Sequence, residues 1–222
     1  MNDIIILVCA VGRSGSTTTQ RILNTMPNSN ICGENMGAVN NLLEFYKNIK
    51  RTTFDYVPGQ NNPVAYEDLI RNNYKPCWYN SYKFTEIQAM IRQTIRKLFK
   101  RNADNNIWGF KEIRYDAGKI HYIKEFKELF PQTKVVIQVR ENLQNQLNSG
   151  WYKNDKTAKQ FIIKMNKDLV EFYKKNKEWC YFITFEKLFD LQMVKEMFIF
   201  LKCEHYFNEE KINLVLKNNM KD

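Results

Sequence analysis

No two cysteines in this sequence stand at metal-ligand spacing, and their number, five, at positions 9, 32, 77, 180 and 203, is odd. That pattern supports neither a disulfide framework nor a zinc site; buried free thiols in a reducing compartment are expected instead. Long apolar runs are missing too. The run over residues 4–11 is too short to span a bilayer, and Asp3 precedes it where a signal peptide carries positive charge. The reading is a cytoplasmic chain with no signal, anchor or transmembrane segment. Zinc-finger, RNA-recognition and helix-turn-helix signatures are absent, and aromatics are not interleaved with the basic residues, so nucleic acid is not an expected partner. There is no internal repeat and no low-complexity segment. Histidine is scarce: His121 and His205 are the only two, and both read as structural.

What is present is enough for a core. A 44% hydrophobic and 14% aromatic share over 222 residues describes a folded chain, read as a single domain over 1–222. The formal net charge of +10 points to an anionic partner, or reflects only a Lys- and Asn-rich composition.

Strands alternate with helices. Residues 4–11 form an apolar, β-branched run and predict a buried strand. Gly12 and Gly15 then permit a tight turn, and the hydroxyls of Ser16, Thr17 and Thr18 lead into an amphipathic segment over 19–26. A turn at 27–30 and a short strand over 31–34 follow, then a helix over 40–49 with Leu42, Leu43, Phe45 and Tyr46 on its apolar side. Residues 50–82 turn irregular, broken by Pro58, Gly59, Pro63 and Pro76; a stretch of this length reads as a functional insertion on the substrate side. Trp78, Tyr79 and Tyr82 in it line a pocket or anchor the loop. Thr85 with Gln88 matches a capping box for a helix reaching Phe99, its apolar face made of Ile87, Ile91, Ile95, Leu98 and Phe99. Strands over 107–111, 134–139 and 179–184 alternate with helices over 117–130, 158–175, 188–201 and 208–217. The alternation implies an α/β class, a central parallel sheet with helices on both faces in three layers. Ligands of such sheets bind beyond the carboxyl ends of the strands, where 12–18, Glu34, 111–114 and Arg140 fall.

Strand, small-residue loop and helix N-terminus together cradle a phosphate, because N–H groups point inward and the helix dipole favours an anion. The loop is not of the ATP-binding kind, which needs Gly-Lys followed by Ser or Thr. Here Gly15 is followed by Ser16, and no apolar strand ends in an Asp to hold magnesium. Arg13 and Arg140 point instead to a ligand with two separated anionic groups and no obligatory metal.

Residues 12–17, Gly-Arg-Ser-Gly-Ser-Thr, resemble the 5′-phosphosulfate loop of sulfotransferases, whose donor is 3′-phosphoadenosine 5′-phosphosulfate (PAPS). Residues 136–142, leading to Ser149-Gly150-Trp151, resemble that family's 3′-phosphate site. Residues 183–188 resemble its Tyr-Glu-Asp-Leu signature, and 31–34 are similar to the Cys-Gly-Glu of the tyrosylprotein branch. Residues 108–115 look like a segment of bacterial and glycan sulfotransferases. The resemblance implies a phosphate-loop-type sulfotransferase fold and an enzyme acting on a hydroxyl of a glycan or a protein tyrosine. It implies Glu34 as the base, with Arg13 and Lys111 stabilising developing charge. Gly12, Arg13, Ser14, Gly15, Ser16, Thr17 and Thr18 would hold the 5′-phosphate. Arg140 would grip the 3′-phosphate with a Ser; the family position is Asn148 here and Ser149 follows it, so both are candidates and Ser149 is preferred. Glu186 reads as structural. The alternatives are a nucleotide kinase or NTPase on the same architecture, and a catalytically silent nucleotide- or nucleic-acid-binding module.

Overall fold

The computed structural model describes residues 3–52, 83–115 and 118–218. Trp78, Tyr79, Tyr82 and Cys77, with nearly all of the irregular segment, lie outside the described residues, as does Ala117 at the start of a predicted helix. The strands are β1 (Ile4–Ala10), β2 (Ser29–Cys32), β3 (Ile107–Glu112), β4 (Lys134–Val139) and β5 (Cys180–Thr184). The helices are α1 (Ser16–Leu23), α2 (Ala38–Thr52), α3 (Phe84–Phe99), α4 (Tyr122–Leu129), α5 (Leu143–Leu147), α6 (Ala158–Lys175), α7 (Leu191–Phe200) and α8 (Glu209–Lys217).

All five strands are parallel, in the order β2-β3-β1-β4-β5. A central parallel strand is covered on both faces, which is why β1 can be apolar along nearly its whole length: Ile5 through Ala10 are at most 2% exposed. Alternate residues serve the two faces. Ile6 and Val8 of β1, with Ile107, Val136 and Ile183, pack in one cluster with Ile22 and Leu23 of α1, Val194, Met197 and Phe198 of α7, and Ile212 and Leu216 of α8. On the other face Trp108 and Phe110 of β3 meet Phe130 and Phe126 edge-on, with centroids 5.5 Å apart in each pair, and α6 packs along β1, β4 and β5. The result is the expected three-layer α/β arrangement.

By internal contacts the chain divides into two compact units, Met1–Gly37 with Leu98–Asp222, and Ala38–Lys97. The first contains the sheet. In the second, the buried residues of α2 are Val39, Asn40, Leu43 and Tyr46, while Phe45 is 49% exposed and so off the predicted apolar side. Tyr46 stacks obliquely on Phe84 and its hydroxyl accepts from Gln88 at 3.1 Å. That tertiary partner takes the Gln88 amide; α3 begins at Phe84 and carries Thr85 inside its first turn, so the predicted capping box is not formed. Leu98, expected in the apolar face of α3, is 58% exposed.

Two other boundaries differ for local reasons. A 3-10 turn, Lys119–His121, precedes α4. The helix predicted from 188 starts at Leu191, because Asp190 caps it by accepting from the Gln192 N–H at 3.0 Å. Cys9, Cys180 and Cys203 are buried free thiols; burial pushes Cys180 up to about 12 and Cys203 to about 11, which leaves them protonated and unreactive. Among the described residues no helix is long and apolar enough to cross a membrane.

One position in the sheet admits no side chain. A Cβ on Gly109 would lie 1.7 Å from the carbonyl oxygen of its register partner Ile6. Gly109→Ala must therefore push β3 off β1, and a cost at or above ~3 kcal/mol is expected from overpacking of this kind. In a domain of this size that lowers the melting temperature by about 10 °C; an unchanged thermal unfolding curve would contradict it.

Candidate functional site

Because every strand runs the same way, the segments after β1, β2, β3 and β4 emerge on one edge of the sheet. The order turns at β1, whose neighbours are β3 and β4, and the β1–α1 loop opens into the crevice that such a turning point creates. A cavity of about 440 Å³ lies there, walled by residues of that loop and of all four later strand ends.

The loop is held from behind. Gln138 of β4, fully buried, donates to the Ser14 carbonyl at 2.9 Å and accepts from the Thr19 hydroxyl. Gln146 of α5, also fully buried, donates to the Gly12 carbonyl at 2.7 Å. With its carbonyls engaged on the sheet side, the loop turns its other edge to the cavity. Gly15 caps α1 at φ 80°, a left-handed conformation that suits glycine, and a Cβ there would meet the Phe185 ring at 2.1 Å. The first N–H groups of a helix have no intrahelical acceptor, and here they stand at the cavity with Ser16, Thr17 and Thr18 in its wall. Arg13 is also left-handed, at φ 60°, which costs a non-glycine residue roughly 1–2 kcal/mol. Strain of this sort is found where a side chain must be aimed.

Arg13 is aimed at Ser149: its Nε and Nη2 donate to the Ser149 hydroxyl at 2.9 and 2.7 Å, and its guanidinium lies 5.6 Å from the Trp151 ring. Arg140, at the end of β4, sits 4.7 Å over the Phe185 ring and donates to the Arg13 carbonyl at 3.3 Å. Its Nε is buried with no hydrogen-bond partner among the described residues. Glu186 opens a 3-10 turn and accepts from the N–H groups of Glu141 and Asn142 at 3.0 and 3.1 Å. Burial alone would raise its carboxyl; those N–H groups, with Arg140, bring it below the usual range. Through those bonds Glu186 supports the loop carrying Arg140.

Opposite stands a charged cluster. Lys111 of β3 is 5% exposed and donates to Glu34 Oε1 at 2.6 Å, with its Nζ 3.4 Å from the Thr17 hydroxyl. Arg114 donates to Glu34 Oε2 at 3.0 Å and to Glu112 Oε1 at 2.9 Å. Glu112, fully buried, also accepts from the N–H groups of Gly37 at 3.3 Å, Ile113 at 2.8 Å and Arg114 at 3.2 Å. It ties the Glu34 segment to the end of β3. Burial pushes the Glu34 carboxyl up, but the bonds and charges of Lys111 and then Arg114 outweigh it and hold the group below its ordinary 4.5. Glu34 is therefore ionised, with each oxygen on its own cation.

The cavity brings together Arg13, Gly15, Ser16, Thr17, Thr18, Glu34, Lys111, Arg140 and Ser149. It leaves out three others. Ser14 is fully buried behind the loop, Gly12 faces a neighbouring cavity, and Asn148 is exposed and accepts from Gln144 at 3.0 Å. Arg114, Glu112, Gln138 and Gln146 were not among the sequence candidates. Arg114 and Glu112 carry a faint signal, two ionisable residues just at a buried strand's end; the glutamines carry none. His121 and His205 lie off the cavity, beside Tyr122 and Tyr206. Among the described residues no group of three or more potential metal ligands is gathered.

The chain is similar to the solved structure of a sulfotransferase from Alicyclobacillus acidocaldarius, at 13% identity and a TM-score of 0.49, with 97% of this chain and 90% of that one covered. It is also similar to sulfotransferase STF1 from Mycobacterium tuberculosis H37Rv, at 11% identity and a TM-score of 0.42, with 98% and 72% covered. No curated protein gives a significant match. A model of the sulfotransferase family matches residues 6–188, a stretch that takes in the β1–α1 loop, Glu34, Lys111, Arg140 and Ser149 together. The chain belongs to the sulfotransferase family.

Proposed function

We propose that this chain is an enzyme that moves a sulfuryl group from PAPS to a hydroxyl of a glycan or of a protein tyrosine. The observation that carries the reading is Arg140: a guanidinium at the cavity wall whose buried Nε has no partner. A buried, unbonded donor on a charged group costs about 1–3 kcal/mol or more, and an arriving phosphate oxygen removes that cost. The other anion-binding element, the α1 N-terminus, lies in the same wall, so the residues fit a ligand carrying two phosphates. Phe185 and Phe189, in the same wall with their rings edge to face and centroids 5.5 Å apart, offer apolar surface for the adenine.

The donor supplies an activated sulfuryl group and a good leaving oxygen. The chain's part is to position it and to manage charge and a proton. Ser16, Thr17 and Thr18 hold the 5′-phosphate end, and Arg140 with Ser149 holds the 3′-phosphate. Glu34, already ionised, takes the proton of the acceptor hydroxyl. Lys111 lies between the Glu34 carboxylate and the Thr17 hydroxyl, so it can turn toward negative charge building near the loop. As it turns it releases Glu34 Oε1, whose basicity rises when it is needed. Arg13, through the bond to Ser149, spans the two phosphate ends and adds positive charge between them.

Calorimetry with 3′,5′-bisphosphoadenosine tests the donor. Binding in the micromolar range or tighter without magnesium is expected, as is transfer from radiolabelled donor to hydroxyl acceptors. Magnesium-dependent ATP binding in its place would overturn the reading in favour of a nucleotide kinase. Bisphosphate binding without transfer to any acceptor would reduce the chain to a binding module.

A further inference from the structure

A second cavity of about 390 Å³ adjoins the first, with Ile113 and Trp151 in the walls of both. Its lining combines aromatic rings, Trp151, Tyr152 and Phe161, with polar groups, Arg114, Asp155 and Thr157. We infer that this cavity is the acceptor subsite and that it takes a sugar ring, which makes the acceptor a glycan rather than a tyrosine peptide. The inference rests on the sulfuryl-transfer reading of the first cavity.

Position is the first argument. Arg114 belongs to the wall of the second cavity and donates to Glu34 Oε2, so a molecule seated there lies beside the proposed base. The shared wall of Trp151 and Ile113 joins that seat to the place where the sulfuryl group would lie.

The chemistry of the wall is the second. Trp151 is 59% exposed, a large aromatic surface left open at the junction of the cavities. Its ring lies 5.6 Å from that of Tyr152, which in turn lies 6.4 Å from that of Phe161. The rings are tilted to one another, and it is the open Trp151 surface that offers dispersion and apolar area to a flat apolar face. Asp155 in the same lining is fixed: one carboxylate oxygen accepts from both the N–H and the hydroxyl of Thr157, at 2.8 and 2.7 Å. The Thr157 hydroxyl bond, then its N–H, hold the Asp155 carboxyl below the usual range, so it is a permanent acceptor. Arg114 is a permanent donor.

A pyranose ring matches both kinds of lining. Its C–H face is apolar and its rim carries several hydroxyls, each able to donate and accept. A tyrosine side chain matches only the aromatic half. Its single hydroxyl must stand at Glu34 for transfer, which leaves only the peptide's backbone amides, at the far end of the side chain, to meet Asp155 and Thr157. The volume lies within the range of small-ligand pockets, roughly 300–1,000 Å³.

The test uses the full chain saturated with bisphosphoadenosine. Saturation-transfer NMR is run with trehalose, lactose, chondroitin and heparosan oligosaccharides, and with tyrosine peptides; the same panel is offered to the enzyme with labelled donor. Binding and sulfation of one or more saccharides, with the peptides inert, is expected. Phe161→Ala, which removes one ring, and Asp155→Asn, which keeps an oxygen for Thr157 but loses the charge, should each raise the Kd and KM for that saccharide about tenfold. Bisphosphate affinity should stay within about twofold in both, since neither residue lines the first cavity. Sulfation of tyrosine peptides in preference to saccharides would overturn the inference and leave the transferase reading standing. So would saccharide binding that neither variant weakens, or saccharides that neither bind nor react while the bisphosphate does. Loss of bisphosphate binding by the unaltered protein is the separate result that sinks the transferase reading itself.

Discussion

Glu34→Gln is expected to lower kcat by about three orders of magnitude, within the ~10²–10⁴-fold range of general-base catalysis, while bisphosphate affinity changes little. Glutamine preserves the shape and leaves a carbonyl oxygen for Lys111, whose ammonium is nearly buried and needs an acceptor. Alanine would confound the result, because an uncompensated buried charge costs up to ~3–5 kcal/mol in stability. Single-turnover rates with labelled donor make the measurement, and a Glu34→Gln enzyme with unaltered turnover would remove the carboxylate from the mechanism.

The pH dependence has a definite sign. The folded-state pKa of Glu34 lies below 4.5, held there against burial by Lys111 and Arg114. As the proposed base Glu34 is therefore ionised throughout the neutral range, and the acid limb of kcat/KM should fall only below 4.5. The same shift acts on stability: the contribution of Glu34 is fully present above its unfolded value and is lost as pH falls through the lower folded value. A rate that already fell by half near pH 6 would assign the limb to another group.

Arg140→Ala should weaken bisphosphate binding roughly 100-fold, about 2.7 kcal/mol, the loss of two charge-assisted hydrogen bonds to a phosphate. Little stability should go with it. Among the described residues Arg140 makes one long hydrogen bond, to the Arg13 carbonyl at 3.3 Å, and its Nε makes none, so what the fold loses is that bond, the Phe185 ring contact at 4.7 Å and a charge near Glu186. Arg140→Lys should recover only part of the affinity, since an ammonium cannot present the guanidinium fork. Calorimetry on variants with matched melting temperatures separates affinity from folding. Equal affinity in Arg140→Ala would place the second phosphate elsewhere.

Arg114 and Glu112 change how the proposed base is understood. A lone Glu34 beside Lys111 is an ion pair; with Arg114 it becomes a carboxylate clamped at both oxygens, and Glu112 holds that clamp to β3. Such a carboxylate is well oriented and weakly basic. That combination gives meaning to the position of Lys111, which touches both Glu34 and the Thr17 hydroxyl.

Local pattern was enough for much of the molecule. An apolar β-branched run such as residues 4–10 has few places to go except the middle of a sheet, and its alternation with helical periodicity implies parallel strands. The helix over 158–175 was legible to the residue, because its buried positions recur at helical spacing. The β1–α1 loop and the strand-end Arg140 were legible because small residues before a hydroxyl-rich helix start, and a charge ending an apolar strand, are each adjacent in sequence. The capping box at Thr85 failed for the opposite reason: its glutamine found a partner in Tyr46, 42 residues away.

The sequence by itself determined the sheet, its helical layers, the β1–α1 loop and the resemblance to the sulfotransferase family, which the family match bears out. Only the tertiary structure decided which side chains meet at the strand ends. It set Ser149 rather than Asn148 in the cavity wall, turned Ser14 away from it, and closed Lys111 and Arg114 on Glu34. The reason is range. Periodicity reports which face of an element is buried, but the Gln138–Ser14 and Gln146–Gly12 bonds join residues 124 and 134 positions apart, and no local pattern encodes a partner at that distance.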